Sequence, residues 1–229
     1  MLGIIGAMKE EVDEVVALMK VIDEKEDCGY HFYHGFLGNK ETVVVQGGIG
    51  KVNATISTTI LLKDYDIDHV INVGSAGGLN QEEEVGDVVI GERVSHHDFD
   101  LTSFGRAMGE VPDMPIAFLA DAKMVQLAKE ILEENGTHAY VGLIASGDQF
   151  VSTKKQVERI KKYFPDAMCA EMEAASSAQV CYVFKKPFII TRGLSDIFDK
   201  GENAIQFDTY LKKAAKTSAQ MCYHLANKL

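Results

Sequence analysis

Short apolar runs recur along the chain, and turn-forming residues near each run mark where it ends. This pattern is typical of strands that are buried in a sheet. We predict strands at Leu2–Ile5, Tyr30–Phe36, Thr42–Gln46 and Pro187–Thr191, and within the segments HVINVGSAGGL, VGDVVIGERVSHHD and AYVGLIASGD. The first and last of these three segments are predicted to end in a glycine-rich turn.

Apolar residues at helical spacing predict helices between these strands. Between Glu10 and Val21, valine and methionine recur at intervals that place them on one helix face. A helix over residues 122–135 is predicted from Asp121, a typical N-cap, and from Gly136, a typical residue beyond a helix end. The remaining predicted helices are Asn53–Lys63, Lys154–Tyr163, Met172–Phe184 and Phe207–Lys228.

The alternation of strands and helices predicts the fold class. Because several strands are apolar throughout, the pattern favours an α/β fold with a largely buried, partly parallel sheet. No linker, repeat or low-complexity tract divides the 229 residues, so we predict one domain over residues 1–229. In folds of this class, ligands bind beyond the carboxyl ends of the strands.

Composition and charge argue against several classes of function. A net charge of -11 and a pI near 5.1 argue against nucleic acid or an anionic membrane as the partner. No apolar run of about 18 residues predicts a membrane span, and the N-terminus lacks the features of a signal peptide. The cysteines form no C-x-x-C pair and no zinc-ligand spacing, so we expect free, buried thiols, no metal site and a cytoplasmic protein. They are Cys28, Cys169, Cys181 and Cys222.

Polar groups that follow predicted strands mark five candidate segments: GAMKEE, GSAGG, SGDQFV, EMEAA and RGLSD. GAMKEE, GSAGG and EMEAA have an ordinary structural explanation when taken alone, because carboxylates are favoured in the first turn of a helix and glycines in tight turns. RGLSD favours a functional role, because polar groups at the end of a buried strand must find partners and ligands bind there. The first loop has G-x-x-G, which is weak support for dinucleotide binding. In EMEAA, Glu171 and Glu173 are two residues apart, so we expect only one of them to point into a cleft.

Together, the candidate segments resemble the nucleoside phosphorylase/nucleosidase superfamily. Their order and spacing are similar to the 5′-methylthioadenosine/S-adenosylhomocysteine nucleosidase branch over essentially the whole chain. The segments that carry the resemblance are GAMKEEV, GGIGKVNA, GSAGGL, VGD, HHDFDLTSFG, SGDQFV, EMEAA and RGLSD. The resemblance implies a three-layer α/β fold with a central mixed, partly barrel-like sheet between helices, no cofactor, and a place in methionine salvage.

Two positions favour a hydrolase over a phosphorylase. The related hexameric phosphorylases carry an arginine in the first loop and another two residues before the GS of the second glycine-rich segment. Here the first loop holds Met8 to Glu11 without arginine, and the second position is Asn72. Phosphate binding needs concentrated positive charge, whereas a carboxylate can accept a proton from water. The sequence therefore favours water as the nucleophile.

The resemblance implies hydrolysis of the N-glycosidic bond of 5′-methylthioadenosine, S-adenosylhomocysteine and 5′-deoxyadenosine. Asp196 would protonate N7 of the leaving adenine, Glu11 would activate water, and Glu173 would bind the ribose hydroxyls. Glu173 could instead be the base, with Glu11 structural. The other substrate-binding residues implied are Met8, Ile49, Ser75, Gly77, Phe150, Val151, Met172, Arg192, Ser195 and Phe207. Of these, Ser75 and Arg192 would help to hold the water.

The resemblance also implies a homodimer with shared sites. Leu101, Phe104 and Pro112 would cap the 5′-substituent pocket of the partner subunit. Three other functions stay open at this point: a futalosine-type nucleosidase, a purine nucleoside phosphorylase, and a non-catalytic nucleoside-binding protein. If adenine release depends on phosphate, the protein is a phosphorylase. If the nucleoside survives incubation, the protein is a non-catalytic binding protein.

Overall fold

The computed structural model describes residues 1–200 and 203–229, without the side chains of residues 203–209. Its strands are β1 Leu2–Gly6, β2 Met19–Asp27, β3 Tyr30–Leu37, β4 Lys40–Gln46, β5 His69–Gly78, β6 Val88–His96, β7 Phe118–Leu119, β8 Ala139–Ser146, β9 Ala167–Glu171 and β10 Phe188–Ile197. Its α-helices are α1 Lys9–Val16, α2 Lys51–Asp64, α3 Ala122–Glu134, α4 Lys154–Tyr163, α5 Ala174–Phe184 and α6 Asn203–Ala226. A short 3₁₀ helix covers Thr102–Phe104.

The strands form one mixed sheet, part of which closes on itself. In hydrogen-bonding order the sheet runs β10-β6-β8-β9-β5-β1-β4-β3-β2, and β10 also pairs with β5. That extra pairing closes β5, β10, β6, β8 and β9 into a barrel-like ring, from which β1, β4, β3 and β2 extend. Both parallel and antiparallel pairs occur in the ring. The α/β class and the partly barrel-like mixed sheet are confirmed.

Helices cover both sides of the sheet, and apolar side chains fill the space between the layers. Helices α1 and α3 pack against α6 on one side, and α2 packs against α5 on the other. Each side has its own cluster of buried residues, one including Leu61 and Cys181 and the other including Val15 and Leu225. These two layers bring the ends of β1, β5, β9 and β10 together at one corner of the ring.

The predicted helix from Glu10 to Val21 is wrong in its second half. Helix α1 ends at Val16, and Met19 begins the edge strand β2, which pairs antiparallel with β3. Strand β2 is mostly charged, since an edge strand with one solvated face needs few apolar residues. The hydrophobic pattern of the sequence therefore did not predict it. One of the four thiols also departs from expectation: Cys28 is exposed in the turn between β2 and β3, whereas the other three are buried.

The predicted strand ends are too early near the site. Strand β5 continues through GSAGG to Gly78 because Gly77 and Gly78 pair with both β9 and β10. Strand β10 likewise runs on to Ile197, and the predicted helix at Met172 begins only at Ala174 because β9 occupies residues 167–171. Across the described part of the chain, we find no helix with a stretch long and apolar enough to cross a bilayer.

Candidate active site

A cleft of about 340 Å³ opens where β1, β5, β9 and β10 end. Eleven of the sequence-predicted residues line it: Met8, Glu11, Ile49, Ser75, Gly77, Phe150, Val151, Met172, Glu173, Ser195 and Asp196. Residues that the prediction missed also line it: Ala7, Ala76, Gln149, Ala170 and Glu171. The cleft therefore collects residues from six segments that are far apart in the sequence.

Glu11 lies at the start of α1 and is 3% exposed. One carboxylate oxygen, Oε2, accepts hydrogen bonds from the backbone N–H groups of Ala7 (2.8 Å) and Met8 (3.0 Å), and Oε1 accepts one from Ser75 N–H (3.2 Å). Burial raises the pKa of Glu11, while these N–H groups and the Arg192 guanidinium act in the opposite direction. The backbone thus holds this carboxylate in one orientation inside the cleft.

Asp196 lies near the end of β10 and is 1% exposed. A bulge between Leu194 and Asp196 interrupts the alternation of β10, so that Ser195 and Asp196 both line the cleft. Ser195 donates its hydroxyl proton to Asp196 Oδ1 at 2.9 Å. A Cβ atom on the facing Gly77 would lie 3.1 Å from Asp196 Oδ2, so glycine at this position leaves room for the carboxylate.

Glu171 and Glu173 both line the cleft, contrary to the expectation that only one would. The helical spacing does not apply, because Glu171 ends β9 and Glu173 is the N-cap of α5. Glu173 Oε1 accepts a hydrogen bond from Gly50 N–H at 2.9 Å. Burial, together with the neighbouring Glu171 carboxylate, raises the pKa of Glu173 from 4.5 to about 7.

Arg192 does not line the cleft, in contrast to its predicted role in holding water. Its guanidinium is 1% exposed and lies behind the carboxylates. Nε and Nη2 donate to Glu171 Oε2 at 3.1 and 2.6 Å, and Nη2 also donates to Asn72 Oδ1 at 2.6 Å. Nη1 donates to the backbone carbonyls of Asn72 and Thr191. A buried guanidinium must satisfy its N–H groups, and these five bonds to protein acceptors do so.

The segment after β8 forms another part of the cleft wall. Phe150 is half-exposed and Val151 is buried at the cleft. Gln156, in the first turn of α4, donates to the backbone carbonyl of Phe150 and accepts from the N–H groups of Ser152 and Thr153. Within the described residues, the backbone N–H and C=O of Val151 make no hydrogen bond, so both are available to a ligand.

The remaining predicted residues lie elsewhere. Leu101, Phe104 and Pro112 lie in the segment that follows β6, which does not line this cleft. Phe104 is 82% exposed and Pro112 is exposed. The side chain of Phe207 is outside the described residues. The roles of all these residues stay predictions.

The cleft suits a neutral polar ligand with an apolar ring better than an anion. Four carboxylates line it, namely Glu11, Glu171, Glu173 and Asp196, and none of the described lining residues is lysine or arginine. Phosphate in this place would meet negative charge without a facing cation. Carboxylates with unlike surroundings can instead act as acid, base and hydroxyl ligand in one reaction. No group of three side chains able to hold a metal occurs in the described part of the chain.

Comparisons with known proteins agree with this chemistry. The family model of the phosphorylase superfamily matches residues 1–227. The chain is similar to the 5′-methylthioadenosine/S-adenosylhomocysteine nucleosidase of Staphylococcus carnosus, with 45% identity over 231 residues and coverage of 100% of both chains.

Solved structures extend the similarity to three dimensions. The nucleosidase of the same name from Neisseria meningitidis, in complex with methylthio-immucillin-A, has a TM-score of 0.95 and 39% identity and covers 100% of this chain and 99% of its own. The futalosine hydrolase of Helicobacter pylori strain 26695 has a TM-score of 0.93 and 35% identity, with coverage of 100% and 97%. The resemblance seen in the sequence is confirmed, and the chain belongs to the 5′-methylthioadenosine/S-adenosylhomocysteine nucleosidases of the phosphorylase superfamily.

Proposed function

We propose that this protein hydrolyses the N-glycosidic bond of 5′-methylthioadenosine and S-adenosylhomocysteine, and also that of 5′-deoxyadenosine. The products are adenine and the 5-substituted ribose. The observation that carries the proposal is the cleft lined by four carboxylates without a lysine or arginine among its described residues. Such a site favours water over phosphate as the nucleophile, because an anion would be repelled.

Glu11 and Asp196 are the proposed catalytic pair. Water attacks C1′ of the ribose and gives a proton to the Glu11 carboxylate, while the C1′–N9 bond breaks. Asp196 gives a proton to N7, so that adenine leaves as a neutral molecule. Because the ribose becomes oxocarbenium-like as the bond stretches, the surrounding carboxylates also stabilise it electrostatically.

The other residues hold the nucleoside in place. The Glu173 carboxylate accepts hydrogen bonds from the ribose hydroxyls, and Met172 packs against the sugar. The free backbone groups of Val151 contact the adenine edge, and the Phe150 ring stacks on the base. Met8 and Ile49, which line the cleft, contact the 5′-substituent, and the sequence assigns Phe207 to the same role.

Incubation with 5′-methylthioadenosine, with and without phosphate, tests the proposal. We expect adenine and free 5-methylthioribose at a rate that phosphate does not change. Phosphate-dependent release of a 1-phosphate sugar would show a phosphorylase, and an intact nucleoside would show a binding protein.

A second candidate function is futalosine hydrolysis. The observation that favours it is the similarity of the fold to the Helicobacter pylori futalosine hydrolase. Both reactions release a purine base, so Asp196 and Glu11 would serve either. Comparison of kcat/KM for futalosine and 5′-methylthioadenosine decides between them, and we expect the latter to be the better substrate.

A homodimer in the cytoplasm, acting in methionine salvage, is the proposed setting. Exposed apolar side chains on neighbouring elements support the dimer, since α2 packs against α5 and α5 against β7, and apolar patches of this kind mark interaction sites. On α2, α5 and the β6–β7 region they are Val52, Ile56, Phe104, Ile116, Leu119, Tyr182 and Val183. In the dimer, Leu101, Phe104 and Pro112 of each subunit cap the 5′-substituent pocket of the other.

A further inference from the structure

A half-buried ion pair lies just outside the cleft and joins three segments of the site. Lys51 Nζ, from the first residue of α2, is 2.6 Å from Asp98 Oδ1, and the two side chains are 21% and 16% exposed. Burial raises the pKa of Asp98, but its hydrogen bonds from the Lys51 ammonium and the Asp148 N–H outweigh this and lower the pKa overall. The pair is therefore ionised and directed, in contrast to a mobile surface pair.

The same two residues hold the start of the segment that contains Phe150 and Val151. Asp98 Oδ2 accepts a hydrogen bond from Asp148 N–H at 2.9 Å. In return, Asp148 Oδ1 accepts one from Lys51 N–H at 2.8 Å. Three hydrogen bonds thus form a closed loop through Lys51, Asp98 and Asp148, with no role in the regular sheet.

The far end of this segment is held separately by Gln156, through Ser152, Thr153 and the Phe150 carbonyl. Between the two anchor points, Val151 keeps a backbone N–H and C=O without a partner among the described residues. The conformation of this short stretch therefore depends on its ends.

The ion pair also borders the ribose side of the cleft. Gly50, directly before Lys51, donates its N–H to Glu173 Oε1 at 2.9 Å. At the N-terminus of α2, two successive backbone N–H groups thus bind different carboxylates. Gly50 N–H binds Glu173, which we propose contacts the ribose, and Lys51 N–H binds Asp148. Asp98 is in turn the second residue after β6, the ring strand that ends at His96, so the pair ties the ring to α2.

We propose that Asp98, paired with Lys51, is a positioning residue for base recognition. It fixes the 148–151 segment so that the Val151 backbone and the Phe150 ring meet the purine. The inference rests on the proposed function, since it assumes that the cleft takes an adenine nucleoside. Asp98 does not touch the reacting atoms, so its loss weakens binding of the base without slowing bond cleavage.

The test compares Asp98→Asn, Lys51→Gln and the double variant in the full-length protein. For each we expect the Kd for adenine, measured by calorimetry, and the KM for 5′-methylthioadenosine to rise by about tenfold. We expect kcat to stay within about twofold of wild type. Because both substitutions break the same Lys51–Asp98 interaction, the double variant should bind no more weakly than either single variant.

Asp166→Asn is the matched control. It weakens a solvent-exposed ion pair with Arg93, and neither residue lines the cleft, so neither Kd nor KM should change. Thermal unfolding of all the variants separates positioning from general destabilisation.

Three outcomes would count against the inference. An unchanged Kd in variants of a wild-type protein that binds adenine would overturn the positioning role alone. A fall in kcat with unchanged Kd would also overturn it, since that result assigns the pair to the chemical step or to stability. A wild-type protein that neither binds nor releases adenine would overturn the proposed function, and the inference with it.

Discussion

At the scale of single residues, the surroundings of each carboxylate decide its role. Glu11 accepts three backbone hydrogen bonds, which fix its orientation, while burial raises its pKa. Glu173 lies beside Glu171 and away from water, so it is the carboxylate whose pKa is raised to about 7. Asp196 is paired with the Ser195 hydroxyl. We therefore propose three different roles for carboxylate side chains in one cleft.

Glu11→Gln tests the base at this scale. We expect kcat for 5′-methylthioadenosine to fall by about 10²–10⁴-fold, because an amide keeps the volume but cannot accept the proton. The matched control is Glu10→Gln, one residue earlier on the same helix and exposed, which should leave kcat unchanged. Turnover of Glu11→Gln near the wild-type rate would assign the base to Glu173 instead.

Glu173 gives a pH dependence with a definite sign. Its pKa is raised from 4.5 to about 7 in the folded protein, so the folded state holds an extra proton between these values. The stability due to this proton is fully present below about pH 4.5 and is lost as the pH rises through about 7. Urea unfolding of the free protein across this range should show this fall, and Glu173→Gln should flatten it.

The same titration affects substrate binding in the opposite direction. Only the ionised carboxylate accepts hydrogen bonds from both ribose hydroxyls, so we expect KM to decrease as the pH rises through about 7. A KM that is independent of pH in wild type, or one that still depends on pH in Glu173→Gln, would contradict this role.

At the scale of elements, a strand irregularity places one of the two proposed catalytic groups, Asp196. The bulge in β10 turns both Ser195 and Asp196 towards the cleft, which a regular strand could not do. Strand β5 supports them from the neighbouring position, where Gly77 pairs with Asp196. The site residues at these positions therefore belong to strands, and loops contribute mainly the wall around Val151.

Gly77→Ala tests the fit between these two strands. The new Cβ would lie 3.1 Å from Asp196 Oδ2, so the carboxylate must move by a few tenths of an ångström. We expect kcat to decrease by about tenfold, since catalysis is sensitive to displacement of the reacting groups. The control is Asp121→Ala, which removes the N-cap of α3 far from the cleft and costs about 1 kcal/mol of stability.

Comparison of Gly77→Ala with Asp121→Ala separates an effect on the position of the Asp196 carboxylate from an effect on stability. Asp121→Ala should lower Tm and leave kcat unchanged, whereas Gly77→Ala should lower kcat by more than any change in Tm explains. Equal losses of activity in the two variants would argue that Gly77 matters only for folding.

At the scale of the whole molecule, the proposed dimer completes each site. Phe104 is 82% exposed in the single chain, in a segment that does not line its own cleft. Burial of this ring against a partner subunit would be favourable, because it removes apolar surface from water. If each site uses residues of two subunits, two variants with different defects should restore activity to each other when mixed.

Mixing of two defective variants tests the shared site. Glu11→Gln subunits have no catalytic base but an intact Phe104, and Phe104→Ala subunits have the base but a poor cap for their partner. A hybrid dimer contains one complete site, so activity at low substrate should rise above that of either variant when they are mixed and refolded together. Activity that is only the average of the two would contradict the shared pocket.

The sequence alone determined the order of most elements, the α/β class, and the catalytic carboxylates that we propose. These depend on residue types and local spacing, which short-range physics relates directly to strands, helices and turns. Glycines beside carboxylates in the right order were enough to identify the family, because many weak signals occurred together along one chain.

Only the tertiary structure decided how those residues are used. The polar edge strand β2, the short strand β9 and the full length of β10 depend on pairing with distant strands. Arg192 was expected in the cleft, yet burial directs its N–H groups to Glu171 and Asn72. The raised pKa of Glu173 and the Lys51–Asp98 pair likewise arise from segments far apart in sequence. Burial and partner choice are properties of the folded chain, so no local pattern could have revealed them.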